Sequence, residues 1–276
     1  MEQQEQFIWK TQEMILTWKK MPRENSQLLK AANIIAFTLT LIVNSLAGST
    51  TLIGGKTTAD ISNQNPTLIT PAGYVFAIWG VIYVLLGVFV VFQALPSEKG
   101  KDLHSKTSWL FILASALNIM WLFLWQNEIL SLSVPIMFLL LGSLIAIYLR
   151  LDVGKSTVPL REKLVTHLPF SVYLGWITIA SIANVAALLV SVSWDGFGVA
   201  AETWAILIIV VALLITLAVI VMRKDVAYAL VVIWALVGIA FNQAAHPNVV
   251  TAAISSAVIA ALTLLAVMLY SEFKRK

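Results

Sequence analysis

The 276 residues are 59% hydrophobic and only 12% charged, about half the charged share of a soluble domain, so lipid rather than water must solvate most of the surface. There is no cysteine, which excludes disulfides, thiolate metal sites and cysteine nucleophiles. The net charge of +4 is not spread along the chain, and it speaks about orientation in a membrane rather than about acidic partners.

The first thirty residues are polar and charged, unlike a cleavable signal peptide. Phe7, Ile8, Met14, Ile15 and Trp18 recur there at near-helical spacing among Lys10, Lys19 and Lys20. That pattern predicts an amphipathic helix lying in the membrane interface; a disordered tail is the alternative. Eight apolar stretches then approach the ~20 residues that a span requires. They are Ala31–Leu52, Gly73–Leu95, Ser108–Trp125, Leu130–Leu151, Leu168–Val190, Thr203–Met222, Val226–Phe241 and Val249–Tyr270, the third and seventh being the shortest.

With eight spans, every Lys and Arg except Lys56 falls on one side of the membrane. The positive-inside rule makes that side cytoplasmic. The expected molecule is an integral protein of the cell membrane with both termini cytoplasmic. The one long outer loop, Gly54–Ala72, is rich in Gly, Asn, Pro and Thr, and reads as a lid or as a passive connection. Pro135 should kink the fourth span. Ala252, Ser256 and Ala260, with Ala253, Ala257 and Ala261, give the eighth a small-residue face for close packing.

No Asp, Glu, Lys, Arg or His lies well inside a span. This argues against proton coupling, a retinal lysine and intramembrane metal catalysis. His104, His167 and His246 lack metal-ligand spacing. Ten tryptophans stand out instead. Trp109, Trp194 and Trp204 sit at span ends, as interfacial tryptophans do, whereas Trp79, Trp121, Trp176 and Trp234 lie deeper. Phe76, Trp79 and Tyr83 share one helix face; so do Asn118, Trp121 and Trp125, then Trp176, Ala180 and Asn184, and Asn44 with Gly48. Indole N–H groups and amides are costly in hydrocarbon without partners, so these faces should point into the bundle. Two readings stand side by side. The faces line an uncharged aromatic pocket under the outer loop, suited to a flat, largely apolar ligand, or they tie helices to one another.

Three segments on these faces, TPAGYVFAIWGVIYVLLG, ALNIMWLFLW and LGWITIASIAN, resemble the second-, third- and fifth-helix motifs of the TspO/MBR family, the tryptophan-rich sensory proteins related to the mitochondrial translocator protein. The resemblance covers about residues 31–190. It departs in having Pro71, Ala72 and Tyr74 where the family has two prolines and a tryptophan, and in a Phe76-to-Trp79 spacing one residue tighter. It implies an all-α transmembrane bundle, with a cytoplasmic segment over 1–30, a TspO-like five-helix core over 31–190 and a three-helix extension over 191–276. It maps the family's ligand pocket onto Trp79, Tyr83, Asn118, Trp121, Trp176, Ala180 and Asn184.

Family members bind porphyrins and lipophilic synthetic compounds, with sterols confined to the mitochondrial branch. The function implied is a receptor or sensor for a tetrapyrrole-type ligand, with an uncoupled facilitator as the alternative. An enzyme is disfavoured because no acid–base pair lies within the membrane, and no catalytic residue, cofactor or metal is assigned. The partners expected are the bilayer and a small lipophilic ligand, with a second copy of the chain left open and no nucleic acid. One further pattern concerns the extension: Trp234, Gly238 and Asn242 repeat the spacing of Trp176, Ala180 and Asn184, so their face should point into protein rather than lipid.

Overall fold

A computed structural model describes residues 24–95 and 98–274, and the expected amphipathic segment over residues 1–20 lies outside them. The described residues are helical apart from turns and loops, as hydrocarbon demands of a chain whose backbone polar groups must pair within their own segment. The elements are α1 (Glu24–Ser49), α2 (Thr58–Gln64), α3 (Ile78–Ala94, entered through a 3-10 turn over Gly73–Ala77), α4 (Glu98–Gln126), α5 (Leu130–Arg150), α6 (Leu160–Ser191), α7 (Ala201–Arg223), α8 (Val226–Asn242) and α9 (Pro247–Phe273). Seven of them are long and apolar enough to span. The eighth, α8, has 17 residues, about 26 Å of helix, at the short end of what a span needs.

Two boundaries differ from those read from the sequence. α4 starts at Glu98, a full ten residues before the apolar run. α6 starts at Leu160 rather than Leu168, passing through a π-helical turn over Lys163–His167. Pro169 follows that turn and has no N–H to offer an i−4 carbonyl; a wider turn lets the helix carry on past such a gap. α5 runs through Pro135 without interruption.

Apolar residues fill the core and cover the outer surface as well. Ile82, Phe89, Met137, Leu140, Leu144 and Ile177 are fully enclosed, while Leu39, Val84, Leu139, Leu214 and Leu262 face outward with half or more of their surface open. α1 packs on α3 and α4, α4 on α5, α5 on α6, and α6 back on α3, so these five close a ring. α8 lies against α6 outside the ring, and α7 and α9 pack with α8. The main core runs through both parts, including Tyr228, Val232 and Ala235 of α8; a smaller cluster of Leu213, Ile220, Ala229, Ala260 and Leu264 joins α7, α8 and α9. On α9 the buried face is Ala253, Ser256, Ala257 and Ala260, with Ala261 exposed.

The two ends of the bundle are built differently. At the basic end, Arg223 pairs with Asp152 at 3.0 Å. Next to it Asp225, only 6% exposed, caps α8: Oδ1 accepts the Tyr228 N–H at 3.1 Å, and Oδ2 accepts the hydroxyls of Tyr148 and Ser171 at 2.8 and 2.7 Å. One carboxylate thus joins α5, α6 and α8.

At the other end, the loop end, the chain from Gly54 to Ala72 folds over the ring. It carries α2, opened by a capping box in which Thr57 and Asp60 satisfy each other's backbone N–H. The Thr57 N–H and hydroxyl hold the Asp60 carboxyl below its ordinary value. Gly54 has φ +67°, and a Cβ there would lie 2.1 Å from the Gln126 carbonyl oxygen. Only glycine lets the loop leave α1 this close to α4. Lys56 pairs with Glu128, tying the same loop to the α4–α5 turn.

Candidate functional site

Beneath that loop the ring holds a ladder of aromatic rings. α3 supplies Trp79 and Tyr83 one turn apart, stacked at 5.6 Å and 13°. α4 supplies Trp121, 6.3 Å from Trp79 and inclined by 26°, and then Trp125, 5.8 Å beyond Trp121. α6 closes the other side edge-on: Trp176 and Tyr173 each stand 6.1 Å from Trp79, and Phe76 meets Trp176 at 5.7 Å. Three helices thus bring Trp79, Trp121 and Trp176 together because each carries its large rings at i, i+3 or i+4 on the face turned to the ring axis.

A hollow with two lobes adjoins this ladder. The larger, about 320 Å³, is lined by Asn44, Trp79, Tyr83 and Trp121 below and by Thr70 and Pro71 above. The smaller, about 50 Å³, adds Trp176, Ala180 and Asn184. Trp79, Trp121, Phe76, Thr58, Ser62, Thr70 and Pro71 border both lobes, and no lining residue is charged. Thr58 and Ser62 come from α2, so the Gly54–Ala72 loop is part of the wall.

The amides have definite partners. Asn118 is fully buried and borders neither lobe; its Oδ1 accepts from Asn44 at 2.7 Å and its Nδ2 donates to the Tyr173 hydroxyl at 3.1 Å. Asn184 accepts from Trp121 Nε1 at 2.7 Å and donates to Ser133 Oγ at 2.8 Å. Both therefore bind helix to helix, α1 to α4 to α6 in one case and α4 to α6 to α5 in the other. Among the residues bordering the hollow, two other buried groups have no hydrogen-bond partner: the Tyr83 hydroxyl, at the larger lobe, and Trp176 Nε1, at the smaller.

Of the seven residues expected to form a pocket, Trp79, Tyr83, Trp121, Trp176, Ala180 and Asn184 border the hollow and Asn118 sits behind it. Tyr173, Thr58, Ser62 and Asn242 were not among the seven. Tyr173 lies a turn before Trp176 on the same face and was readable from that spacing. The other three reach the site through tertiary folding alone.

A polytopic helical membrane protein with an uncharged, tryptophan-lined hollow inside a five-helix ring is what fold and site define. The chain belongs to the family of TSPO-like proteins, whose model matches residues 30–268. The match continues past the five-helix ring and through most of α9. A search of curated proteins and one of solved structures found no match to the chain.

Proposed function

We propose that the protein is a membrane receptor or sensor that binds a flat, largely apolar ligand of tetrapyrrole type in the aromatic hollow. The observation that carries the reading is the near-parallel Tyr83–Trp79–Trp121 ladder beside an uncharged hollow of about 320 Å³. Stacked rings favour a planar π-system, and the volume falls at the lower end of the range for ligand sites. The Tyr83 hydroxyl and Trp176 N–H, buried and unpartnered, are two groups with hydrogen-bonding capacity to offer a ligand.

Titrating the purified protein with a free-base porphyrin, followed by tryptophan fluorescence, tests this. Saturable one-site quenching is expected, and Trp79→Phe should weaken binding by about 0.5–1.5 kcal/mol, a few-fold to tenfold in affinity. Quenching that never saturates, or that is unchanged in Trp79→Phe, overturns the reading. Flux of the same porphyrin into proteoliposomes distinguishes a facilitator from a receptor.

Residence in the cell membrane with both termini cytoplasmic is part of the proposal, supported by the placement of Lys and Arg. Reporters fused after Lys56 and near Asp195 should read as external, and one after Lys155 as internal. An external C-terminal reporter contradicts it.

A further inference from the structure

The segment Thr67–Val75 separates two hollows. Thr70 and Pro71 face the aromatic one. Pro66, Thr67, Leu68 and Ile69 face a second, about 470 Å³, that opens between α6 and α7 beside Trp194 and Trp204. Pro66 precedes this stretch and Pro71 lies within it, and it forms no α-helix, only the start of the 3-10 turn over Gly73–Ala77. Its backbone leans on α8 instead. The Ala72 N–H donates to the Gly238 carbonyl at 3.0 Å. Asn242 Nδ2 donates to the Thr70 carbonyl at 3.0 Å, and Gln243 Nε2 to those of Thr67 and Thr70 at 3.1 and 3.4 Å. Trp234 Nε1 reaches the Val75 carbonyl at 3.4 Å, and its ring meets Tyr74 edge-on at 5.2 Å.

The approach is as close as it can be. A Cβ on Gly238 would lie 2.1 Å from Val75 Cγ2 and 3.3 Å from Pro71 Cβ. The Trp234, Gly238 and Asn242 face thus meets the partition, but only Gly238 is buried: Trp234 is 40% exposed and Asn242 is exposed as well, so the expectation that the face points into protein holds only in part. Asn242 also borders the larger lobe of the aromatic hollow.

We infer that α8 is a latch: Gly238, Asn242 and Gln243 are positioning residues that hold the Thr67–Val75 partition in place, and so set how readily a molecule passes from the lateral hollow between α6 and α7 into the aromatic one. The inference rests on the ligand-binding reading of the aromatic hollow, but the latch itself can be tested without a ligand. Without Gln243 the half-buried Thr67 carbonyl keeps only the Thr70 N–H at 3.2 Å and the Thr70 carbonyl keeps only Asn242, so the partition is held by fewer bonds. Removing the donor takes away that hold and raises the population of the displaced partition.

Because the chain contains no cysteine, a single Ala183→Cys reports on the aromatic hollow, which Ala183 borders. Labelling by a small uncharged maleimide is measured in ligand-free proteoliposomes. Adding Gln243→Ala, which removes hydrogen bonds to the partition, should raise the labelling rate by about tenfold, the factor that ordinary hydrogen bonds are worth, and Gly238→Ala, whose Cβ would push against Val75, should raise it as well. Leu264→Ala, which loosens the separate α7–α8–α9 cluster, should leave the rate within about twofold. A rate unchanged in both latch variants, or raised equally by Leu264→Ala, overturns the latch. A second arm follows porphyrin by stopped flow. Gln243 does not border the aromatic hollow, so Gln243→Ala should speed association and dissociation together, with affinity within about threefold. A wild-type protein that binds no porphyrin while the labelling difference holds overturns the ligand reading and supports the latch.

Discussion

Asp225→Ala is expected to lower the stability of the folded protein by about 3 kcal/mol or more. The carboxylate accepts from the Tyr148 and Ser171 hydroxyls and from the Tyr228 N–H, and alanine strands all three donors in a buried setting. Each unsatisfied buried group costs about 1–3 kcal/mol. The loss falls short of the sum where a hydroxyl can turn to another acceptor, and Tyr148 and Ser171 sit where few are offered. Asp225→Asn keeps one acceptor oxygen and should lose roughly half as much. Unfolding by denaturant in mixed micelles measures both variants. A loss under about 0.5 kcal/mol for alanine would mean that the three donors find other partners.

Asn118→Leu is the second large effect, and it should appear in stability rather than in affinity. Leucine removes the acceptor for Asn44 and the donor to Tyr173. Asn44 keeps its bond to the Thr40 carbonyl, whereas the Tyr173 hydroxyl loses the Asn118 donor. Interhelical bonds in membranes are worth about 0.6–1.7 kcal/mol each, which places the cost at about 2 kcal/mol. Porphyrin affinity of the surviving folded protein should stay within about twofold, since Asn118 borders neither lobe. A tenfold affinity loss without a stability loss would put Asn118 in contact with the ligand after all.

These effects show which parts of the molecule were legible. Seven of the eight expected spans followed from apolar length, which a bilayer imposes, while the eighth, α8, is shorter than the rest. The inward faces of Trp79, Trp121 and Trp176 followed from helical spacing, because a large ring with an N–H is poorly placed against lipid. The early start of α6 at Leu160 was not legible: Arg161 and Lys163 read as loop residues, and only the folded chain supplies the π turn before Pro169. Asp225 sits between two apolar runs in a two-residue connection, and a carboxylate there reads as solvated. Its burial depends on Tyr148 and Ser171, 77 and 54 positions earlier. The Asn118 and Asn184 amides could be placed on the right faces, but whether they serve a ligand or a neighbouring helix depends on partners that spacing does not reveal.

The bonds between α8 and the partition have a consequence for biosynthesis. Asn242 and Gln243 follow the carbonyls they bind by 172 to 176 positions. A ribosome adding about 5–20 residues per second takes roughly ten to thirty seconds to cover that distance. Through that interval α3 to α7 can enter the bilayer and the aromatic ladder can assemble, while Thr67 and Thr70 wait for their donors. The roof of the hollow is therefore finished late, by nearly the last helix to be made.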